Sequence, residues 1–165
     1  MNTKLHGGFK YLIEVLKDGV VVDSEEVYNL MPTEGVNHML GVTLVGASQV
    51  TTWYAGLYEG NYTPVIGDTA ALLPSLAVEC TTYVGTTRKT WTPGSVAAGV
   101  VDNSAARAEF EFNATKTVYG GFLSSAPAKG ATTGVLISVV RFSSPRVLDS
   151  GSILRVTAGM TLTST

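Results

Sequence analysis

The sequence predicts an all-β fold, an antiparallel β-sandwich of jelly-roll or immunoglobulin-like type with one short helix. Three observations lead there. Runs of aromatic and β-branched residues alternate with polar ones at period two. Gly, Pro and Asp punctuate these runs at short intervals. Helical spacing is confined to brief segments. Neither an internal repeat nor a linker-like stretch divides the chain, and its 165 residues suffice for a two-layer core without covalent staples. Residues 1–165 therefore read as a single β-sandwich domain.

From the start, Phe9, Tyr11, Ile13 and Val15 alternate with Lys10, Leu12, Glu14 and Leu16, and Asp18-Gly19 separates them from Val20-Val21-Val22. A turn dipeptide that tolerates positive φ between two such runs predicts a β-hairpin. Pro32 to Gly41 offers a capping residue, an early acid and a terminal glycine, with Val36, Met39 and Leu40 at helical spacing, which predicts a helix of about two turns. Thr51 to Tyr58 reads as a strand. In the connection that follows, Asp68 is placed to cap one helical turn through Ala70, Ala71 and Leu72, which Pro74 would stop. Leu76 to Tyr83 and Thr86 to Trp91 read as strands.

The second half alternates more regularly. Ala106, Ala108, Phe110 and Phe112 interleave with Arg107, Glu109 and Glu111, a half-buried strand with one apolar face. Thr117 to Ser124 is another strand, interrupted by Gly120-Gly121, where a bulge or a close backbone approach is expected. Gly134 to Phe142 is almost continuously apolar, as in a strand covered on both faces. Leu154, Val156, Ala158, Met160 and Leu162 give a last alternating run. About eight strands result, with Phe110, Phe112, Leu136, Val140, Leu154 and Val156 expected in the core. A bulge at Gly120-Gly121 would re-aim Phe122 and Leu123 toward that core.

Composition bounds the function. Charged residues make up 15% of the chain, below the quarter or so usual for soluble domains, so the exterior is expected to be coated in part by Ser, Thr and Gly and to lie in part against a partner. The 11 basic and 13 acidic side chains give a net charge of −2 with the basic residues scattered, which argues against a nucleic-acid partner. Arg88-Lys89 reads as a solvated turn. The single cysteine, Cys80, reads as a small buried hydrophobe, and no intrachain disulfide can form. No secretory signal and no run of transmembrane length is found, so synthesis in a cytoplasm and no membrane partner are expected. Without secretion, the sequons at Asn61 and Asn113 read as turn residues.

The chemistry of an enzyme is not assembled in the sequence. His6 and His38 lie far apart and Cys80 has no evident partner, so no metal site is expected. No phosphate-binding glycine loop occurs, and Ser24, Ser48 and Ser75 lie outside any nucleophile elbow. Glu25-Glu26 and the pair Glu109 and Glu111 are paired carboxylates of the kind glycoside hydrolysis uses. Glu109 and Glu111, however, occupy the polar phase opposite Phe110 and Phe112, which a solvated face explains. Trp53, Tyr54, Tyr58 and Trp91 are candidates for a sugar-binding platform, weighed against ordinary core and rim positions. No catalytic residue, metal ligand or cofactor-binding residue is assigned.

Several segments together resemble a group of tailed-bacteriophage structural proteins of similar length. They are Asn29 to Leu40, Trp53-Tyr54-Ala55-Gly56-Leu57, Gly67-Asp68-Thr69, Glu79 to Tyr83 with Arg88, Asn103-Ser104-Ala105 leading into Phe110-Glu111-Phe112, Tyr119 to Ser125, and Leu154-Arg155-Val156-Thr157. The resemblance implies a virion protein without catalytic residues, similar to capsid decoration (cement) proteins, some of which are jelly rolls. It implies the major capsid protein and copies of itself as partners, with homo-oligomers in the virion. The alternative it leaves open is a tail or fibre component with a receptor- or carbohydrate-binding role. Self-association or docking is expected through an edge strand and the termini, because low surface charge leaves sheet edges poorly protected.

Overall fold

A computed structural model describes residues 5–164 and shows two antiparallel sheets packed face to face. The first sheet runs β2 (Val20–Tyr28), β1 (Leu5–Lys17), β10 (Ile153–Ser164), with β6 (Val100–Asp102) and β7 (Ala108–Glu111) in file along the far edge of β10. The second sheet is built on β3 (Trp53–Tyr58). β4 (Glu79–Cys80) and β5 (Lys89–Trp91) share one edge of β3, β8 (Lys116–Ser124) takes the other, and β9 (Leu136–Leu148) lies beyond β8. Two helices, α1 (Thr33–Leu40) and α2 (Leu73–Leu76), lie in the connections flanking β3.

The sandwich expected from the alternating runs is therefore formed. Asp18 and Gly19 turn the first hairpin with φ of 51° and 76°, the positive values a tight hairpin turn requires. Phe110, Phe112, Leu136, Val140, Leu154 and Val156 are all buried, and Glu109 and Glu111 face outward as their phase demands. β9 is covered on both sides: Ile137, Val140 and Phe142 enter the core between the sheets, while Leu136 and Val139 enter a second cluster on the opposite face. That second cluster, with Tyr58, Phe122, Ala70, Leu73 and Ala77, is roofed by residues 59–78. The outer side of the second sheet is thus a covered layer.

Several local expectations are corrected. Gly41 does not end the helix, because its φ of −58° is helical and the chain continues through one π-helical turn, Gly41–Val45, to a left-handed Gly46. No side chain caps α1, because Pro32, which has no acceptor on its side chain, occupies the N-cap position and Thr33 is already inside the helix. Pro74 begins α2 rather than stopping a turn, since its missing N–H costs nothing in a first turn, and the Asp68 carboxylate binds Tyr62 and Val65 instead of capping. The two strands expected over 76–91 shrink to Glu79–Cys80 and Lys89–Trp91. The carbonyls of Thr81, Tyr83 and Gly85 turn toward the Lys129 ammonium, at 2.9, 2.9 and 2.6 Å, and so leave the ladder. Alternation would put Leu16 on the same outward phase as Leu12, but a register shift after Val15 turns it inward, to 4% exposure.

The Gly120-Gly121 interruption is a register shift, and the extra residues are carried by the opposing strand. Val118 pairs with Arg146 and Gly120 with Arg141, so β9 bulges by residues 142–145. Val118 and Leu123 both enter the main core although they stand five positions apart, an odd step that an unbroken strand would put on opposite faces. The re-aiming expected of the bulge holds for Leu123 but not for Phe122, which enters the second cluster under the roof. Gly120 also lies under Tyr58, whose hydroxyl donates to the Val140 carbonyl at 3.0 Å.

Three buried tyrosines make the fold sensitive to alkali. Burial raises the phenol pKa of Tyr11, Tyr58 and Tyr83 well above the ordinary value. A folded-state pKa above the unfolded one gives stability that is full below pH about 10 and falls as pH rises beyond it. In a near-ultraviolet titration these phenols are expected to ionise together with loss of tertiary structure. Their ionisation ahead of unfolding would contradict their burial.

Candidate functional site

The residues that sequence alone nominated for chemistry do not converge. Glu109 pairs with Arg155 at 2.9 Å across neighbouring strands and is exposed. Glu25 contacts Arg146 at 3.0 Å and accepts a hydrogen bond from Ser143, while Glu26 pairs with Lys10 at 3.1 Å. His38 sets its ring edge against Trp53, 5.7 Å between centroids, and His6 is exposed on β1. Cys80 is buried, and burial, reinforced by Glu59, pushes its thiol up to about 11. Among the described residues no group of three or more His, Cys, Asp or Glu is placed to hold a metal ion, and no helix is long and apolar enough to cross a membrane.

The aromatic platform is not assembled either. Tyr58 is wholly buried in the second cluster, and Trp91 is buried with its indole N–H donating to the Ala158 carbonyl at 2.9 Å. Arg88 is the largest departure from expectation: it is not in a solvated turn but is 2% exposed. Its Nε and Nη2 donate to the two oxygens of Glu79 at 2.9 and 2.7 Å, and its remaining donors reach the carbonyls of Ala126 and Ala131. The guanidinium also lies 5.0 Å from the Phe122 ring. This ion pair fastens the 125–134 loop to β4 and β5, a structural role.

What the molecule does present is a broad face poor in charge. Between Lys17 and Arg88 the chain contains no lysine or arginine, so α1, β3 and the roof over 59–78 carry no basic residue of their own. The cations that reach the roof margin, Arg141 at Asn61 and Tyr62 and Lys116 at Glu59, come from β9 and β8. The acids of this region are engaged internally. Glu34 Oε2 accepts the Ala70 and Leu136 N–H groups at 2.8 and 2.7 Å, Glu59 pairs with Lys116 at 3.0 Å, and Asp68 is buried. Exposed on this background are Val36, Leu40, Leu44 and Val45 from α1 and the π turn, then Val65, Ile66, Leu72 and Leu76 from the roof. Leu44 and Val45 are 74% and 81% exposed. The Thr33 N–H to Ile66 carbonyl bond, 2.9 Å, and the Glu34 bridge hold the first turn of α1 against the roof.

Val78, also exposed, strengthens the functional reading of this face. It holds φ of 55°, a left-handed conformation that costs a β-branched residue on the order of 1–2 kcal/mol. Folding alone would favour glycine or asparagine there. In chemical denaturation Val78→Gly is therefore expected to match the wild type or gain up to about 1 kcal/mol, where an ordinary Val→Gly change would lose stability. A clear loss would show that the side chain serves the fold. The lack of lysine and arginine on this face was readable in the sequence as the gap between Lys17 and Arg88, which whole-chain composition averages away, but that Glu34, Glu59 and Asp68 are held by internal partners was not.

Fold and surface together define a two-sheet antiparallel β-sandwich with a roofed outer layer and an apolar, charge-poor face. No family model matches the chain, and no curated protein matches it.

Proposed function

We propose that the chain is a non-enzymatic structural protein of a tailed-bacteriophage virion, a capsid decoration protein that docks on the major capsid protein lattice. The observation that carries this reading is the charge-poor face bearing Val36, Leu40, Leu44, Val45, Val65 and Ile66. Contiguous exposed apolar surface is uncommon on monomers, and depletion of charge is what marks the centre of protein interfaces. Repetition over a lattice would add avidity to modest single contacts. The resemblance of the Asn29 to Leu40 and Tyr119 to Ser125 segments to phage virion proteins supplies the setting. Copies of itself are the second partner: among the described residues no strand pairs with the outer edge of β2, and Val20, Val21 and Val22 at its start, before the Asp23 and Glu25 contacts to β9, are exposed and open to strand pairing. A tail or fibre role in receptor or carbohydrate binding is less well supported, because Tyr58 and Trp91 are turned inward.

The test adds charge to the face. A Leu44→Lys/Val45→Lys variant is expected to keep the wild-type melting temperature, since both side chains are solvated. Its incorporation into heads assembled without the protein should fall on the order of tenfold or more, equivalent to about 1.4 kcal/mol. Undiminished incorporation would contradict docking through this face.

A further inference from the structure

We propose that the slot between Trp53 and Trp91 is an anchor pocket for one neutral apolar side chain, of leucine or single-ring size, presented by the docking partner. The slot lies where the two sheets part, is walled by Phe9, Trp53, Trp91, Val101, Ile137 and Met160, and encloses about 170 Å³. Its chemistry selects the occupant. Of the two tryptophans that wall it, the buried one, Trp91, has its indole N–H already bonded to the Ala158 carbonyl, and the other walls, Trp53 aside, are aliphatic side chains, a phenyl ring and a thioether. A dry apolar cavity of about 150 Å³ accepts a benzene-sized group, whereas a sugar or a charged group would lose its hydrogen bonds there.

Continuity identifies the source. Trp53 and Ile137 also wall the groove beneath α1 and the π turn, together with His38, Met39, Val42 and Val50, so the slot opens beside the charge-poor face. None of these groove residues is a lysine, arginine or carboxylate, matching a neutral partner segment. Trp53 is half-exposed at the junction and is backed on one side by His38 and opposite Trp91 in the β3–β5 register. Such a rim is what an aromatic or aliphatic anchor residue requires: a preformed pocket that excludes water around one deep contact. The identity of the occupant rests on the docking role proposed above; the slot itself does not.

The full chain can be titrated with bromobenzene while tryptophan emission is followed, because both tryptophans of the protein wall the slot. Saturable quenching is expected, and it should vanish in Val101→Phe or Met160→Phe, whichever keeps the wild-type melting temperature. The same filled variant should enter depleted heads on the order of tenfold less well. Quenching that rises linearly and equally in wild type and filled variant would overturn the pocket. Saturable quenching with undiminished entry of the filled variant would overturn the side-chain occupant. If Leu44→Lys/Val45→Lys also enters undiminished, docking itself has failed; if only that variant is lost, the failure belongs to the slot.

Discussion

Arg88→Ala is expected to destabilise the protein by about 3–5 kcal/mol, the cost of leaving one member of a buried ion pair without its partner. The side chains of Arg88 and Glu79 are 1% and 3% exposed, so water cannot replace the lost contact. Glu79 would retain only the Gly130 N–H at 2.9 Å, and the Ala126 and Ala131 carbonyls would each lose a donor. Arg88→Lys should rescue little, because a single ammonium cannot reproduce the two-pronged Nε and Nη2 contact. Urea denaturation measures this directly. Wild-type stability in Arg88→Ala would mean the guanidinium is solvated and the loop over 125–134 is held by something else.

Gly120→Ala should be the next most damaging change. A Cβ at this position would lie 2.2 Å from both the Tyr58 hydroxyl and the Val140 carbonyl oxygen, and those two atoms are bonded to each other. Relief would require the second sheet to open between β3 and β9. Overpacking of this kind costs about 1–3 kcal/mol and occasionally more. Gly121→Ala is expected to lose less, because its nearest neighbour, the Gly56 carbonyl oxygen, stands at 3.2 Å. Calorimetry of the two variants should rank them in that order. If both kept full stability and failed only to join particles, the glycines would mark a contact with another chain.

Local patterns in the sequence were enough to find β1, α1, β7 and β10, because each alternates or repeats over much of the element, and β2 followed from the Asp18-Gly19 turn before Val20-Val21-Val22. The exceptions depend on distant partners. Arg88 looks like a turn residue beside Lys89 and among threonines, and nothing local reveals that Glu79 and two loop carbonyls complete its shell. The strand expected through 76–83 ends early because Lys129, on another loop, captures the backbone carbonyls. Pro74 could be read as a stop or a start, and the Leu73 and Ala77 side chains, packing under the roof, decide for a start. For the candidate face, the apolar residues were visible one by one, but their exposure follows only from the sheet beneath them being already full.

The most direct test of the docking role is an image reconstruction of the intact particle at a resolution that separates subunits. The proposal expects this chain in many copies over the head, with α1, the π turn and the 59–78 roof turned onto the major capsid protein. A particle with the chain confined to a few copies on the tail, or present on the head with Leu44 and Val45 facing solvent, would contradict it.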